Sequence, residues 1–107
     1  MKPLAWVWLV AGACLATTSQ AGDATRGREK AVACAACHGP QGLSVAPDAP
    51  NLAGQPELYL AAQLKAYRDG TRKHEVMSLM AKPLSDADID DLAAWFGSLK
   101  VRLQETS

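Results

Sequence analysis

The chain is short and electrically balanced. It has 107 residues, 11 of them basic and 11 acidic, so its formal net charge is zero. This balance argues against a nucleic-acid-binding protein, which would carry a basic surplus. Only four aromatic residues follow residue 21, and a small chain this poor in large side chains rarely forms a self-sufficient core. We therefore expect a disulfide, a metal or a large cofactor to supplement it.

The first 21 residues have the organisation of a secretory signal peptide. Lys2 precedes an apolar run from Leu4 to Ala16, and a polar stretch then ends at the small residue Ala21. The apolar run is too short to span a hydrocarbon core of about 30 Å as a helix. We predict cleavage after Ala21 and a periplasmic location. A retained membrane anchor and lipid attachment at Cys14 are the alternatives.

Residues 22–107 form one predicted domain without internal repeats. Gly39 and Pro40 end the first helical pattern, and Ser85 with Asp88 makes a capping box for the last one. No segment shows the alternation typical of a strand, so the predicted fold class is all-α. The predicted segments are a helix over residues 23–37, a loop over 39–55, a helix from 56 to about 70, an irregular segment over 71–83 and a helix starting at 85.

The sequence Cys34-Ala35-Ala36-Cys37-His38 is the pattern of c-type haem attachment. Cysteines three positions apart on a helical turn project to the same side. Each thiol can then add to one vinyl group at the haem edge, and the adjacent His38 can present an imidazole nitrogen to the iron. The motif therefore predicts one covalently bound haem c.

Three other uses of these cysteines compete with haem attachment. A redox-active pair is expected in a βαβ context, and no strands are predicted. A zinc site needs two further ligands, and beyond the motif the chain after residue 21 offers only His74. A disulfide between Cys34 and Cys37 suits an oxidising compartment but leaves His38 unexplained. Haem attachment accounts for all three motif residues.

A redox carrier benefits from a sixth ligand that closes the iron. Met77 and Met80 are the only methionines after residue 21, and a thioether ligand raises the reduction potential relative to bis-histidine ligation. Either methionine could instead fill the core. His74 would give a bis-histidine site, but its charged neighbours favour a solvated side chain. From the residues alone the choice between Met77 and Met80 stays open.

The chain after residue 21 resembles the class I c-type cytochromes, in particular the short bacterial kind that also forms the halves of di-haem cytochromes. This resemblance implies N- and C-terminal helices that cross, with the intervening loops wrapped around one haem. The matching stretches are Gly22-Asp23-Ala24 with Gly27, Cys34 to Gly39, Pro50 to Gln55, Met77 to Met80, and Leu84-Ser85 with Asp91 to Trp95.

The resemblance also implies roles for individual residues. Relatives with this Met-x-x-Met arrangement generally use the first methionine, which favours Met77 as the axial ligand and leaves Met80 as the alternative. The carbonyl group of Pro50 is expected to accept a hydrogen bond from His38, which would orient the imidazole. Leu52 is expected to pack on the haem face. Gly27 and Trp95 match the family's positions where the terminal helices cross.

These features predict an electron carrier that exchanges one electron with periplasmic or membrane-bound redox partner proteins. No small-molecule substrate, no nucleic acid and no enzymatic turnover are expected, and membrane contact is expected only through partner complexes. One alternative is the cytochrome subunit of a larger dehydrogenase. Another is a haem enzyme or gas sensor with an open sixth position, against which the two methionines argue.

Overall fold

The computed structural model describes residues 1–16 and 22–106. The predicted cleavage point after Ala21 lies outside the described residues. Residues 1–16 have no regular secondary structure, and no helix in the described part of the chain is long and apolar enough to cross a membrane. The helices are α1 (Ala24–Lys30), a 3-10 turn (Ala31–Cys34), α2 (Ala35–His38), α3 (Glu57–Asp69), α4 (Met77–Ala81) and α5 (Asp86–Ser98).

Side-chain caps fix where the two terminal helices begin. The Asp23 carboxylate accepts hydrogen bonds from the first amides of α1, and Ser85 forms the predicted capping box with Asp88 at the start of α5. These bonds satisfy amides that have no partner within the helix. The capping box is therefore confirmed, and both helices start where the sequence places polar caps.

Helices α1 and α5 pack closely because Gly27 lies at their crossing. A Cβ atom at this position would overlap the carbonyl oxygen of Asp91 and lie 2.8 Å from the Cβ atom of Trp95. Only glycine allows the two backbones to approach this closely. The placement of Gly27 and Trp95 at the crossing of the terminal helices is thus confirmed.

The core lies between the crossed terminal helices and α3. Its buried cluster is supplied mainly by α5, and partly buried residues of the loop and of α3 pack against it. The all-α fold class is confirmed, since the described residues contain no strand. The buried members of the cluster are Ala31, Leu60, Leu92, Ala93 and Phe96.

Two predicted boundaries differ from the structure. The helix predicted over residues 23–37 is divided by the 3-10 turn, which ends at Cys34, so that Cys37 and His38 lie on a separate short helix, α2. The segment 71–83, predicted as irregular, contains the one-turn helix α4. Short helices of this kind depend on tertiary contacts more than on local propensity, so the sequence pattern did not indicate them.

Candidate functional site

An apolar cavity of about 240 Å³ lies between α2, α3, α4 and α5. Four of its lining residues carry polar or reactive groups: Lys30, Cys34, Cys37 and His38. The other twelve are apolar, and they are Ala33, Ala36, Leu52, Leu60, Leu64, Val76, Met77, Met80, Leu84, Leu92, Ala93 and Phe96. Apolar walls with a few convergent polar groups are typical of a cofactor site.

Both cysteines of the motif face this cavity, as their spacing predicted. Cys34 ends the 3-10 turn and Cys37 lies one turn later in α2, and the two thiols are not joined in a disulfide. Burial raises the pKa of the Cys34 thiol, which keeps this sulfur in its neutral form inside the apolar wall. The two sulfurs are therefore available on one side of the cavity.

The imidazole of His38 is buried and held by the loop that follows α2. Its Nδ1 atom lies 2.8 Å from the carbonyl oxygen of Pro50, and His38 is 7% exposed. Because a carbonyl oxygen only accepts, this contact assigns the proton to Nδ1 and leaves the lone pair on Nε2. The structure thus contains the hydrogen bond expected between His38 and Pro50, with Nε2 suited to bind a metal.

The backbone of the loop brings Pro50 back toward the motif. Gly39 ends α2 with a positive φ of 78°, and a Cβ atom there would overlap the carbonyl oxygen of Leu43. Further along, the amides of Leu52 and Ala53 both donate to the carbonyl oxygen of Gly42. Leu52 itself lines the cavity and packs against the core cluster, as expected for a residue on the cofactor face.

Helix α4 brings both methionines to the same cavity. Met77, the first residue of the helix, is partly buried, whereas Met80 is 41% exposed. His74 does not line this cavity and instead borders a separate open groove. The bis-histidine alternative therefore receives no support from the geometry, and Met77 is the better enclosed of the two thioethers.

Lys30 is a cavity residue that the sequence analysis did not single out. It precedes Cys34 by four positions, a spacing that places two helical side chains on one face. Its Nζ atom lies 2.8 Å from Oδ1 of Asp88 and 2.6 Å from Oδ2 of Asp91. Because both partners belong to α5, only the packing of the terminal helices shows this role.

The residues around the cavity fit a covalent haem. Two thiols, an oriented imidazole and a thioether converge on an apolar space, and this set of groups suits a covalently attached haem. Among residues 1–16 and 22–106, no group of three or more His, Cys, Asp or Glu side chains is placed to hold a metal ion. The zinc alternative therefore lacks its further ligands.

Comparison with known proteins agrees with this geometry. The family model described as Cytochrome c matches residues 24–100. The chain is 51% identical over 81 residues to cytochrome c-554(548) of Halomonas halodenitrificans, which covers 73% of this chain and 98% of that protein. It is 50% identical over 72 residues to a thiosulfate dehydrogenase electron acceptor of Thiomonas intermedia, covering 66% of this chain and 33% of the relative.

Among solved structures, the chain is similar to reduced recombinant cytochrome c4 from Pseudomonas stutzeri. The TM-score is 0.70 at 46% sequence identity, and the match covers 75% of this chain and 47% of that one. The chain therefore spans about half of this structural neighbour and nearly all of the Halomonas relative.

Proposed function

The chain belongs to the cytochrome c family, and we propose that Cys34 and Cys37 hold its haem c while His38 and Met77 bind the iron. The class I cytochrome c fold, the covalent haem and electron transfer are properties of the family. When bound, the haem supplies an iron that alternates between the ferrous and ferric states. The assignment of individual ligands rests on the cavity.

The observation that carries this assignment is the pairing of a buried imidazole with a partly buried thioether in one apolar cavity. The Pro50 carbonyl accepts a hydrogen bond from His38 and orients its imidazole. With haem bound, the Met77 thioether would serve as the second protein ligand of the iron, which favours a carrier over an enzyme or sensor that must admit a ligand. Apolar walls exclude water and limit rearrangement between oxidation states. We therefore propose electron transfer without substrate turnover.

Substitution of each methionine tests the axial assignment. The oxidised wild type should show the weak near-infrared charge-transfer band of Fe(III)–thioether ligation. Met77→Ala should abolish this band and lower the reduction potential, because the ligand that favoured Fe(II) is gone. Met80→Ala is the matched control, and it should keep the band at a cost of about 1 kcal/mol, since its side chain is 41% exposed. The reverse pattern would make Met80 the ligand.

We also propose that the protein works in the periplasm after removal of residues 1–21. The charged start, the apolar run and the small residue at position 21 support export. A haem-bearing product in the periplasmic fraction, with Gly22 as its N-terminus by mass spectrometry, is the expected result. Retention in the membrane fraction would instead support the uncleaved anchor or lipid attachment at Cys14.

One relative favours a second candidate function, the electron-accepting partner of a dehydrogenase. The Thiomonas protein named as a thiosulfate dehydrogenase electron acceptor is 50% identical over 72 residues. Under this proposal, the ferric protein should be reduced by a purified thiosulfate dehydrogenase when thiosulfate is added without oxygen. Sulfite in place of thiosulfate is the control. Reduction no faster than in the control would favour a carrier in another chain of redox partners.

A further inference from the structure

The side chain of His74 caps the helix that carries Met77. Its Nδ1 atom accepts hydrogen bonds from the backbone amides of Val76 and Met77, each at 3.2 Å. Val76 is the N-cap of α4 and makes no side-chain capping bond, because it has no polar side-chain atom. Amides at the start of a helix lack partners within it. The N-cap Val76 offers no acceptor, and His74, two residues upstream, supplies it.

The main chain of His74 is joined to the same helical turn. Its amide donates to Oγ of Ser78 at 3.0 Å, and its carbonyl oxygen accepts from the Ser78 amide, also at 3.0 Å. Four hydrogen bonds thus connect His74 with the segment 76–78. A displacement of the first turn of α4 would have to break several of them together.

Tyr67 of α3 packs against the imidazole of His74 and is itself held by Arg72. The ring of Tyr67 meets it edge to face, with 6.5 Å between the ring centroids and an interplanar angle of 75°. The guanidinium of Arg72 lies 4.7 Å from the centroid of the Tyr67 ring and donates to Oε1 of Gln63 at 2.7 Å. Aromatic and cation–π contacts of this geometry are favourable, and they connect the cap to α3, whose residues Leu60 and Leu64 line the cavity.

We infer that His74 is a positioning residue for the Met77 thioether, acting through the backbone amides of Val76 and Met77 rather than at the iron. This inference rests on the proposed function, in which Met77 is the axial ligand. His74 does not line the cavity, so its effect passes through α4. Release of the thioether requires the first turn of α4 to move, and the cap makes that movement costly.

The cost of this movement can be measured in the ferric holoprotein from the affinity for added imidazole, which displaces the Met77 thioether from the iron. His74→Asn keeps an acceptor oxygen at the position of Nδ1, whereas His74→Gln places its amide near the position of Nε2 and leaves both backbone amides without an acceptor. The two variants carry the same functional group, so only its location differs. Measurements at pH 8 keep the added imidazole largely neutral.

The wild type and His74→Asn should bind imidazole alike, within about twofold. His74→Gln should bind it roughly tenfold more tightly, as expected when two hydrogen bonds no longer oppose opening of the turn. Without added imidazole, all three proteins should retain the near-infrared thioether band. The Asn and Gln variants should have similar unfolding midpoints. A difference in global stability then does not explain the difference in imidazole affinity.

Equal imidazole affinities in the Asn and Gln variants would overturn the inference, as would a Gln variant with a lowered unfolding midpoint but unchanged imidazole affinity. Met77→Ala separates this failure from that of the proposed function. If Met77→Ala loses the band while the His74 variants bind imidazole alike, only the positioning role is wrong. If Met77→Ala keeps the band, the ligand assignment and the inference built on it both fail.

Discussion

The Nζ atom of Lys30 lies 2.6 Å from Oδ2 of Asp91 and joins helices α1 and α5 across 61 positions of sequence. Asp91 is 4% exposed, and its other oxygen accepts from the backbone amide of Asp23 at 2.8 Å. Arg26 adds a longer contact of 3.4 Å. The hydrogen bond from Lys30 and then that from Asp23 lower the pKa of Asp91. A buried carboxylate is thus satisfied entirely by residues of the N-terminal segment.

We predict that Asp91→Asn lowers the free energy of unfolding by about 1–3 kcal/mol, because it weakens charge-assisted hydrogen bonds to a buried position. Urea denaturation of the holoprotein measures this change. Asp90→Asn is the matched control, since Asp90 is more exposed and makes only a 3.9 Å contact with Lys65. Asp90→Asn should lower the free energy of unfolding by less than about 1 kcal/mol. Equal costs in the two variants would contradict the proposed role of Asp91.

The ionisation of Asp88 makes the stability of the packed helices α1 and α5 depend on pH. The hydrogen bond from Lys30, followed by that from the Ser85 amide, lowers the pKa of Asp88 to about 2. An unfolded aspartate titrates near 3.9, so the stabilisation is complete above about pH 4 and is lost as pH falls toward 2. We expect Asp88→Asn to melt below the wild type at pH 6, with most of this difference gone near pH 2. A difference at pH 2 as large as that at pH 6 would contradict this linkage.

Substitution of Gly27 by alanine should change the stability in the direction opposite to that expected from helix propensity. Replacing a helical glycine by alanine normally stabilises a helix by about 1 kcal/mol. Here the added methyl group would meet the carbonyl oxygen of Asp91 and the Cβ atom of Trp95, so Gly27→Ala should destabilise the holoprotein by about 2 kcal/mol. Thr25→Ala, on the exposed side of the same helix, should change stability by less than about 0.5 kcal/mol. A stabilised Gly27→Ala protein would show that the helices separate readily.

Local patterns account for the parts of the site that were predicted from the sequence. The spacing of Cys34 and Cys37 determines that both thiols face one side, and the capping box at Ser85 depends only on a residue three positions later. The contact between His38 and Pro50 spans 12 positions, and it was expected only from the family resemblance. Periodicity and composition alone do not indicate such a contact.

The missed features depend on contacts that no local pattern describes. The N-cap position of α4 is a valine, Val76, and the capping acceptor comes from an imidazole rather than from the usual Ser, Thr, Asp or Asn. In the sequence, Lys30 has the features of an ordinary surface lysine, and its role is visible only in its contacts with α5. Both features arise from tertiary packing, which sequence periodicity does not specify.

The cavity also makes the fold depend on its haem. Of the five residues in the buried core cluster, Leu60, Leu92, Ala93 and Phe96 also line the cavity, and only Ala31 does not. Without haem, these side chains would border empty or hydrated space on their cavity side and lose the packing contacts made there. A ligand that binds only the folded state contributes directly to its stability. The free energy of folding therefore includes the burial of the haem.

We accordingly predict that Cys34→Ala combined with Cys37→Ala, matured in a host with haem-attachment machinery, gives a product without covalent haem and largely disordered in solution. The wild type should give a haem-stained band on denaturing electrophoresis and a cooperative thermal transition by circular dichroism. Cys14→Ala is the control, since this cysteine lies in the predicted signal peptide and should leave both results unchanged. A colourless wild-type band would contradict haem attachment at the motif, whereas a cooperative transition in the colourless double variant would show that the chain forms its core unaided.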